Sequence, residues 1–587
     1  MLKNYFLSAW RHILKNKLYA TINILGLVIG LSVYIFGSLL ATYERSHDLF
    51  YENSGRIYTV GSLFSPTAEV GVGEMDATFS AVGPFIEADV PEVEAVARSV
   101  GREYLLTIDE DSYYQSIRFA DPDFTTIFDF HYIEGDSRAL DDPTGMIVTS
   151  TAARKFFGDG PALGRTLTLD HKVTLRVTAV VEDLPRNTHF NSSIVASVDF
   201  AVVAPLKALE AASGYDIAGD WDNLSTGHLT YVLLPGDKTQ SWLQSKRDGI
   251  YSSHFPEAEK ELVIGMRVRP LEEINTIIWD MVGMPMIATV QLLGLLVLVV
   301  AIVNYTNLAT AQSLGRAREV GLRKTMGAVK TQLLQQFLVE SVTIAAIAML
   351  IALALLEICV PLFNSSVDRA LTIDYSATLP WLILTTLGVG LVAGAYPAHL
   401  ITRAKPIDAL RDGSAKGVKG GLFRNIMLGL QFTISIFMLA MVLVVYFQNV
   451  KIENSSNIFP RSQILVLDRL GVETIRTRLD TLRNEISRIP GVENIAFSSQ
   501  VPYEQNTSQI KGGTEAGDEA SAFNLQRVIV DEHFMEAYDI PLLAGRNLNV
   551  NIADDIRKEE VLSLNVIINE LAAEKVNIPR PSRGLYV

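Results

Sequence analysis

Apolar and charged residues are sorted along this chain into long blocks. From Met281 through Gly315 no residue is charged, and Val290–Val303 is almost wholly aliphatic. A helix needs roughly 20 apolar residues to cross a bilayer core, so this run predicts a membrane helix over 281–313. Arg316, Arg318, Glu319, Arg323, Lys324 and Lys330 then fall within one short loop, 314–332. A second apolar run follows at 333–363, interrupted only by Glu340 and Glu357. Inside the loop Leu322, Met326, Val329 and Leu333 recur at helical spacing, which predicts an amphipathic helix. Further runs free of Asp, Glu, Lys and Arg lie at 18–43, 375–402 and 425–450. The chain is therefore expected to hold five membrane helices. Pro380 and Pro397 fall near the ends of the fourth, where proline is expected to kink the helix or fray its exit turn.

Residues 2–15 form a different pattern. Leu2, Phe6, Ala9, Trp10, Ile13 and Leu14 share one helical face, while Lys3, Asn4, Ser8, Arg11, His12 and Lys15 take the other. A basic amphipathic helix carrying tryptophan suits the membrane interface, with lipid as its partner. The apolar run after it exceeds the ~7–15 residues of a signal-peptide core, so 18–43 is expected to remain as the first membrane helix. Gly26 and Gly30 make a Gly-x-x-x-Gly step on it. That step reads either as a close helix contact or as ordinary glycine usage.

The intervening segments alternate in short runs punctuated by turn residues. Strands are expected at Thr144–Thr149, Thr166–Leu169, Val173–Val181 and Leu229–Leu234, and helices at Thr151–Phe157 and Leu206–Ala212. Residues 44–280 thus predict an α+β domain, and 451–587 a second one. The second repeats the first. Pro91, Val93, Glu94, Ala97 and Ser99 reappear as Pro490, Val492, Glu493, Ala496 and Ser498. Asp121, Phe124, Asp129 and Gly135 reappear as Asp531, Phe534, Asp539 and Gly545, and Ile147, Ala152, Ala153 and Lys155 as Ile567, Ala572, Ala573 and Lys575. Three blocks in one order mark an internal duplication. The second copy is incomplete, with no membrane helix after it. That pattern suggests a truncated product or one segment of a longer eight-helix protein.

Charge orients the whole. The net charge of −15 argues against a nucleic-acid partner, yet the chain has basic islands. The first 17 residues carry four bases and no acid, 312–332 carries five bases and Glu319, and 403–424 carries six bases against Asp408 and Asp412. Positive segments inside and acidic domains outside fit a multi-pass bacterial inner-membrane protein with a cytoplasmic N-terminus. Residues 412–424 read as a flexible glycine- and lysine-rich linker. The one cysteine, Cys359, lies in an apolar helix and reads as a small buried hydrophobe.

The runs Asn304-Tyr-Thr-Asn-Leu-Ala-Thr-Ala-Gln-Ser, Arg316-Ala-Arg-Glu-Val-Gly-Leu-Arg-Lys-Thr-Met-Gly-Ala328 and Gln336-Phe-Leu-Val-Glu340 resemble the signature of MacB/FtsX-like ABC transporter permeases. Asp183-Leu-Pro-Arg-Asn-Thr-His-Phe190 and Leu229-Thr-Tyr-Val-Leu-Leu-Pro-Gly236 resemble the periplasmic core domain of the same family, and Gly394-Ala-Tyr-Pro-Ala398 and Lys405-Pro-Ile-Asp-Ala-Leu-Arg411 resemble the family as well. The resemblance implies a permease subunit served by a separate cytoplasmic ATPase. The docking surface would be Arg316, Arg318, Glu319, Leu322, Arg323, Lys324 and Met326. It further implies two docking loops per assembly, from a homodimer or a second permease. The alternatives are an FtsX-like signalling scaffold acting on an extracytoplasmic partner, or an inactive truncated permease.

The chemistry of an enzyme is missing from the sequence. A phosphate loop needs Gly-x-x-x-x-Gly-Lys-Ser/Thr; the stretch Gly158–Thr166 has the wrong spacing and no lysine. No cofactor, metal site or catalytic residue is expected. His189, after Pro185, reads as a structural hydrogen-bonding residue in a loop, and Asp109–Asp111 as a solvated hairpin tip rather than a calcium loop. Glu340 carries more weight. It lies about ten residues into its helix, some 15 Å along it. It is either an interfacial carboxylate or a membrane-depth contact coupling the loop to the bundle.

Overall fold

The computed structural model describes residues 2–66, 72–109, 111–191, 200–214, 216–217, 219–221, 224–225, 227–276, 285–367, 369–403, 421–456, 463–470, 473–502, 508–512, 523–555 and 564–575. The linker 404–420, the residues 277–284 ahead of the second membrane helix and the last twelve residues lie outside that set. The chain divides into two compact units, Met1–Phe437 and Met438–Val587.

Among the described residues, five helices are long and apolar enough to span a membrane: TM1, Lys17–Arg45; TM2, Met286–Gly315; TM3, Lys330–Val367; TM4, Tyr375–Arg403; TM5, Gly421–Ser456. TM3 and TM5 outrun their apolar stretches by about a turn at each end, because helices end where the chain must turn rather than where charge begins. TM1–TM4 share one apolar core, including Leu27, Leu31 and Ile35 of TM1, Leu298 and Ala301 of TM2, Ile344 and Ala348 of TM3, and Val389 and Ala393 of TM4.

Glycines set how close these helices approach. A Cβ on Gly30 would lie 2.6 Å from the Cβ of Ala301, and one on Gly37 would lie 3.2 Å from the Val290 carbonyl. From the other side, a Cβ on Gly294 would lie 3.2 Å from Tyr34 Cα. The Gly26–Gly30 step is thus part of a close TM1–TM2 contact. Gly390 does the same between TM4 and TM3, where a Cβ would lie 2.6 Å from Val342 Cα. Without a hydrophobic drive in lipid, such close packing is what holds helices together.

One expectation is corrected in the bundle, the burial of Cys359. TM4 runs as helix through Pro397 to Arg403. The proline deprives the Ala393 carbonyl of its helical donor, and the Thr306 hydroxyl of TM2 supplies another at 3.2 Å. Cys359 is exposed on the outer surface of TM3, because it points away from the face that Leu356 and Val360 turn to the core.

Between TM1 and TM2 the chain builds one mixed sheet. Its strands are β1 Ile57–Phe64, β2 Glu74–Met75, β3 Ala95–Ile108, β4 Asp111–Ala120, β5 Tyr132–Glu134, β6 Gly145–Thr149, β7 Thr166–Leu169, β8 Val173–Val181, β9 Val202–Pro205, β10 His228–Leu233 and β11 Val263–Pro270. The order is β11-β1-β10-β3-β4-β9-β6-β8-β5, with β2 beside β1 and β7 beside β3 and β8. Only β4–β9 and β6–β8 run parallel. The β7 and β8 bounds match the alternation in sequence, and the helices Ser150–Phe157 and Leu206–Ser213 fall where expected. Helix Ser150–Phe157 starts where the Thr149 hydroxyl accepts from the Ala152 amide, a standard N-cap.

The second unit repeats local details of the first. Ser99 pairs with Ala120 across β3 and β4, and the corresponding Ser498 bridges Val530. Asp121 accepts from the Arg98 amide at 2.9 Å, and Asp531 from the Phe497 amide at 3.0 Å. Gly135 and Gly545 share a left-handed backbone, with φ of 80° and 85°. Asn569 caps the Ala572 amide as Thr149 caps Ala152. The duplication thus extends to turns and caps.

Candidate coupling site

The basic loop folds into a short helix, Ala317–Thr325, set between TM2 and TM3. Glu319 sits in its first turn and Arg323 and Lys324 in its last, as the helix dipole favours. Glu319 and Arg323 also pair one turn apart at 2.6 Å. The helix ends at Gly327, whose φ of 97° lets the Ala328 amide reach the Arg323 carbonyl at 3.0 Å. This corrects the expected amphipathic helix: Leu333 belongs to TM3, beyond the turn, and is buried.

Val320 anchors the short helix by packing with Leu333 and Phe337 of TM3 and Ala398 and Ile401 of TM4. Leu322, Met326 and Val329 face outward, with Met326 78% exposed. They are exposed apolar side chains in a segment otherwise rich in charge.

The basic residues divide between outside and inside. The Arg316 guanidinium turns inward, lies over the Phe337 ring and donates to both carboxylate oxygens of Glu340 at 3.2 and 3.1 Å. Lys324 Nζ donates to the Thr402 carbonyl at 2.8 Å, and partial burial with Lys330 nearby lowers its pKa. Arg323 also reaches Gln336 Oε1 at 3.4 Å. The side chain of Arg318 lies outside the described set. Arg316 and Lys324 are therefore partly taken up by contacts within the bundle, while Leu322, Met326 and Val329 are exposed.

Glu340 is 7% exposed. Besides Arg316 it touches His12, whose Nδ1 lies 2.7 Å from Oε1. A carboxylate so far along a membrane helix is costly unless paired, and here two nitrogen bases pair it. Arg316 and His12 thus tie Glu340 to the basic loop and to the N-terminal helix. His12 belongs to the helix Leu2–Lys15, which matches the predicted span and packs along TM3.

A second polar cluster lies at the other end of TM1. Glu44 accepts from Asn275 Nδ2 at 2.7 Å and sits 3.4 Å from Arg369. His47, buried beside them, has its pKa lowered chiefly by desolvation, opposed by Glu44 and Asp48. Next comes Asp48, with a φ of 62° and no exposed surface. Its carboxylate accepts from the Thr188 hydroxyl at 2.5 Å and the His189 amide at 3.0 Å, with His189 Nδ1 at 2.9 Å. His189 Nε2 lies 2.7 Å from the Tyr231 hydroxyl on β10. Asn187 donates to the Ser46 carbonyl at 3.0 Å. The stretch Asp183–Phe190 is thus a clasp that fixes the end of TM1 to the sheet, and His189 is one of its buried members. Sequence reasoning singled out the stretch and missed Asp48, whose only local signal is its place just after a membrane helix.

Residues 20–241 match the family model of the MacB-like periplasmic core domain, and residues 292–406 match that of the FtsX-like permease C-terminal domain. The macrolide export ATP-binding/permease protein MacB of Burkholderia pseudomallei (strain 1710b) is 22% identical over 415 residues, covering 69% of this chain and 59% of its own. The pyoverdine export ATP-binding/permease protein PvdT of Pseudomonas aeruginosa is 23% identical over 415 residues, covering 69% of this chain and 58% of its own. The chain thus spans about three-fifths of the length of the curated relatives it matches. Among solved structures, the periplasmic region of MacB from Actinobacillus actinomycetemcomitans covers 39% of this chain and 94% of its own, at 12% identity and a TM-score of 0.28.

Proposed function

Because the chain belongs to the MacB/FtsX-like ABC transporter permease family, we propose that it transmits ATP-driven motion across the inner membrane to domains outside. ATP hydrolysis is assigned to a partner ATPase seated against Ala317–Thr325, with the N-terminus of this chain on the same cytoplasmic side. Leu322, Met326 and Val329 form the centre of that contact, and Glu319 and Arg323 its polar rim. The outer α+β domains act on a substrate for export or extraction. Two docking helices are supplied by two copies of this chain or by a second permease.

One observation carries the proposal. Buried contacts lie along the way from the short basic helix to the sheet: Arg316 to Glu340 at the cytoplasmic end, close TM1–TM2 packing at Gly30, and the Asp48 clasp beyond Arg45. They support a route by which a push on the basic helix reaches the sheet.

Detergent co-purification from the native host tests it. The tagged chain is expected to retain an ATPase and its activity, and Met326→Glu combined with Leu322→Glu to lose both while the bundle stays folded. A wild-type chain that recovers no ATPase, or a double variant that retains it fully, overturns the proposal.

A further inference from the structure

Among the described residues, two polar bridges join the N-terminal helix Leu2–Lys15 to TM3, and both of them also hold the basic helix. Glu340 binds His12 on one side and Arg316 on the other. One turn earlier, Gln336 donates through Nε2 to Ser8 Oγ at 3.0 Å and accepts at Oε1 from Arg323. Ser8 and His12 are one turn apart on their helix, as Gln336 and Glu340 are on TM3, so the two bridges stack into a ladder. Arg316 precedes the basic helix and Arg323 lies near its end. Each of its ends is therefore tied, through one TM3 side chain, to the N-terminal helix.

The opposite face of the N-terminal helix is apolar. Phe6, Leu7, Trp10 and Leu14 are exposed, flanked by the exposed bases Arg11, Lys15 and Lys17. That combination suits the surface of an anionic leaflet, and it gives the ladder a fixed footing at the bilayer surface.

We propose that Leu2–Lys15 is a brace for the docking helix: Glu340 and Gln336 clamp both to the same two turns of TM3, so that the three move as one piece. Ser8, His12, Gln336 and Glu340 are positioning residues in this scheme, and none of them needs to touch the ATPase. The proposal rests on the docking reading for its purpose, but its geometry can be tested alone.

The test is a distance measurement by pulsed electron spin resonance on the full chain in lipid nanodiscs. Nitroxides are placed at Arg11→Cys and Thr325→Cys in a Cys359→Ser background and diluted with unlabelled chain, so that only distances within one chain are read. The parent is expected to give one narrow distribution. Glu340→Ala is expected to widen it about twofold or more, as for an element released to local motion. His12→Ala should widen it too, whereas His12→Lys, which keeps a nitrogen donor beside Glu340, should keep it narrow; a packing role alone would respond to both. A label pair at Leu362→Cys and Leu379→Cys reports whether TM3 and TM4 remain packed. Where Glu340→Ala disturbs that control, Ser8→Ala with His12→Ala decides instead, since it leaves Arg316 and Glu340 in place. An unchanged distribution in the deciding variant overturns the brace. Retention of ATPase by the wild-type chain is scored separately. A widened distribution without ATPase sinks the docking reading alone, and an unchanged distribution with ATPase bound sinks the brace alone.

Discussion

Replacing Asp48 with alanine should open the junction between TM1 and the sheet. In the native fold its carboxylate meets the Thr188 hydroxyl, the His189 amide and the His189 ring, at 2.5, 3.0 and 2.9 Å. All three groups are buried. Leaving the buried Thr188 hydroxyl and His189 amide without an acceptor costs about 1–3 kcal/mol each, because each keeps its desolvation penalty. At about 1.4 kcal/mol per tenfold, the two together are roughly one to four decades of hydrogen-exchange protection. The loss should be concentrated at the amides of 187–191 and 46–51, measured by mass spectrometry on the full chain in nanodiscs. Asp48→Asn should lose less, since asparagine tolerates the left-handed backbone at this position and keeps one acceptor. Asp136→Ala, which breaks an exposed pair with Arg138 and uncaps the Arg138 amide, serves as the control and should leave protection at 187–191 and 46–51 unchanged. If Asp48→Ala leaves protection at 187–191 equal to the parent, the clasp is not what holds this junction.

Three further outcomes follow from the same geometry. Met326→Glu with Leu322→Glu should abolish ATPase recovery, read as ATP hydrolysis in the purified complex. Gly30→Ala should destabilise the bundle by about 1–3 kcal/mol through overpacking, seen as a lower melting temperature in detergent, and Ala301→Gly in the same chain should recover part of it. His47 should make the junction sensitive to acid. Burial lowers its folded-state pKa below 6.5, so the unfolded chain takes up the proton first. Its contribution is full above pH 6.5 and is lost as pH falls from there through the depressed folded value. His47→Gln should flatten the dependence of junction protection on pH over that window.

The parts that were legible in the sequence are those governed by local pattern. Charge-free runs gave the membrane helices, because a bilayer imposes length and polarity on each segment separately. Alternation gave β7 and β8, and the repeated Asp, Phe and Gly positions gave the duplication. What escaped was set by distant neighbours. Arg316 looked like one more exposed base in a basic loop, and only the fold aims it at Glu340. Asp48 and Ser46 gained meaning from Asn187, Thr188 and His189, some 140 residues along the chain. Gly327 was passed over as part of a helical pattern, although glycine is the residue that permits the positive φ ending the basic helix. Cys359 was placed by the hydropathy of its helix, which says nothing of the face on which a residue lies.

The glycine contacts between TM1 and TM2 have a mechanical meaning. Where two helices are separated by long side chains, a displacement of one is partly absorbed as those side chains change rotamer. At Gly30, Gly37 and Gly294 main chain lies almost directly on its neighbour, and no rotamer is available to give way. Such a joint has almost no backlash: small strokes arrive at the far end undiminished, and their direction is kept. Bulk introduced there would act like a shim, wedging the shafts apart and introducing play at every other contact along them.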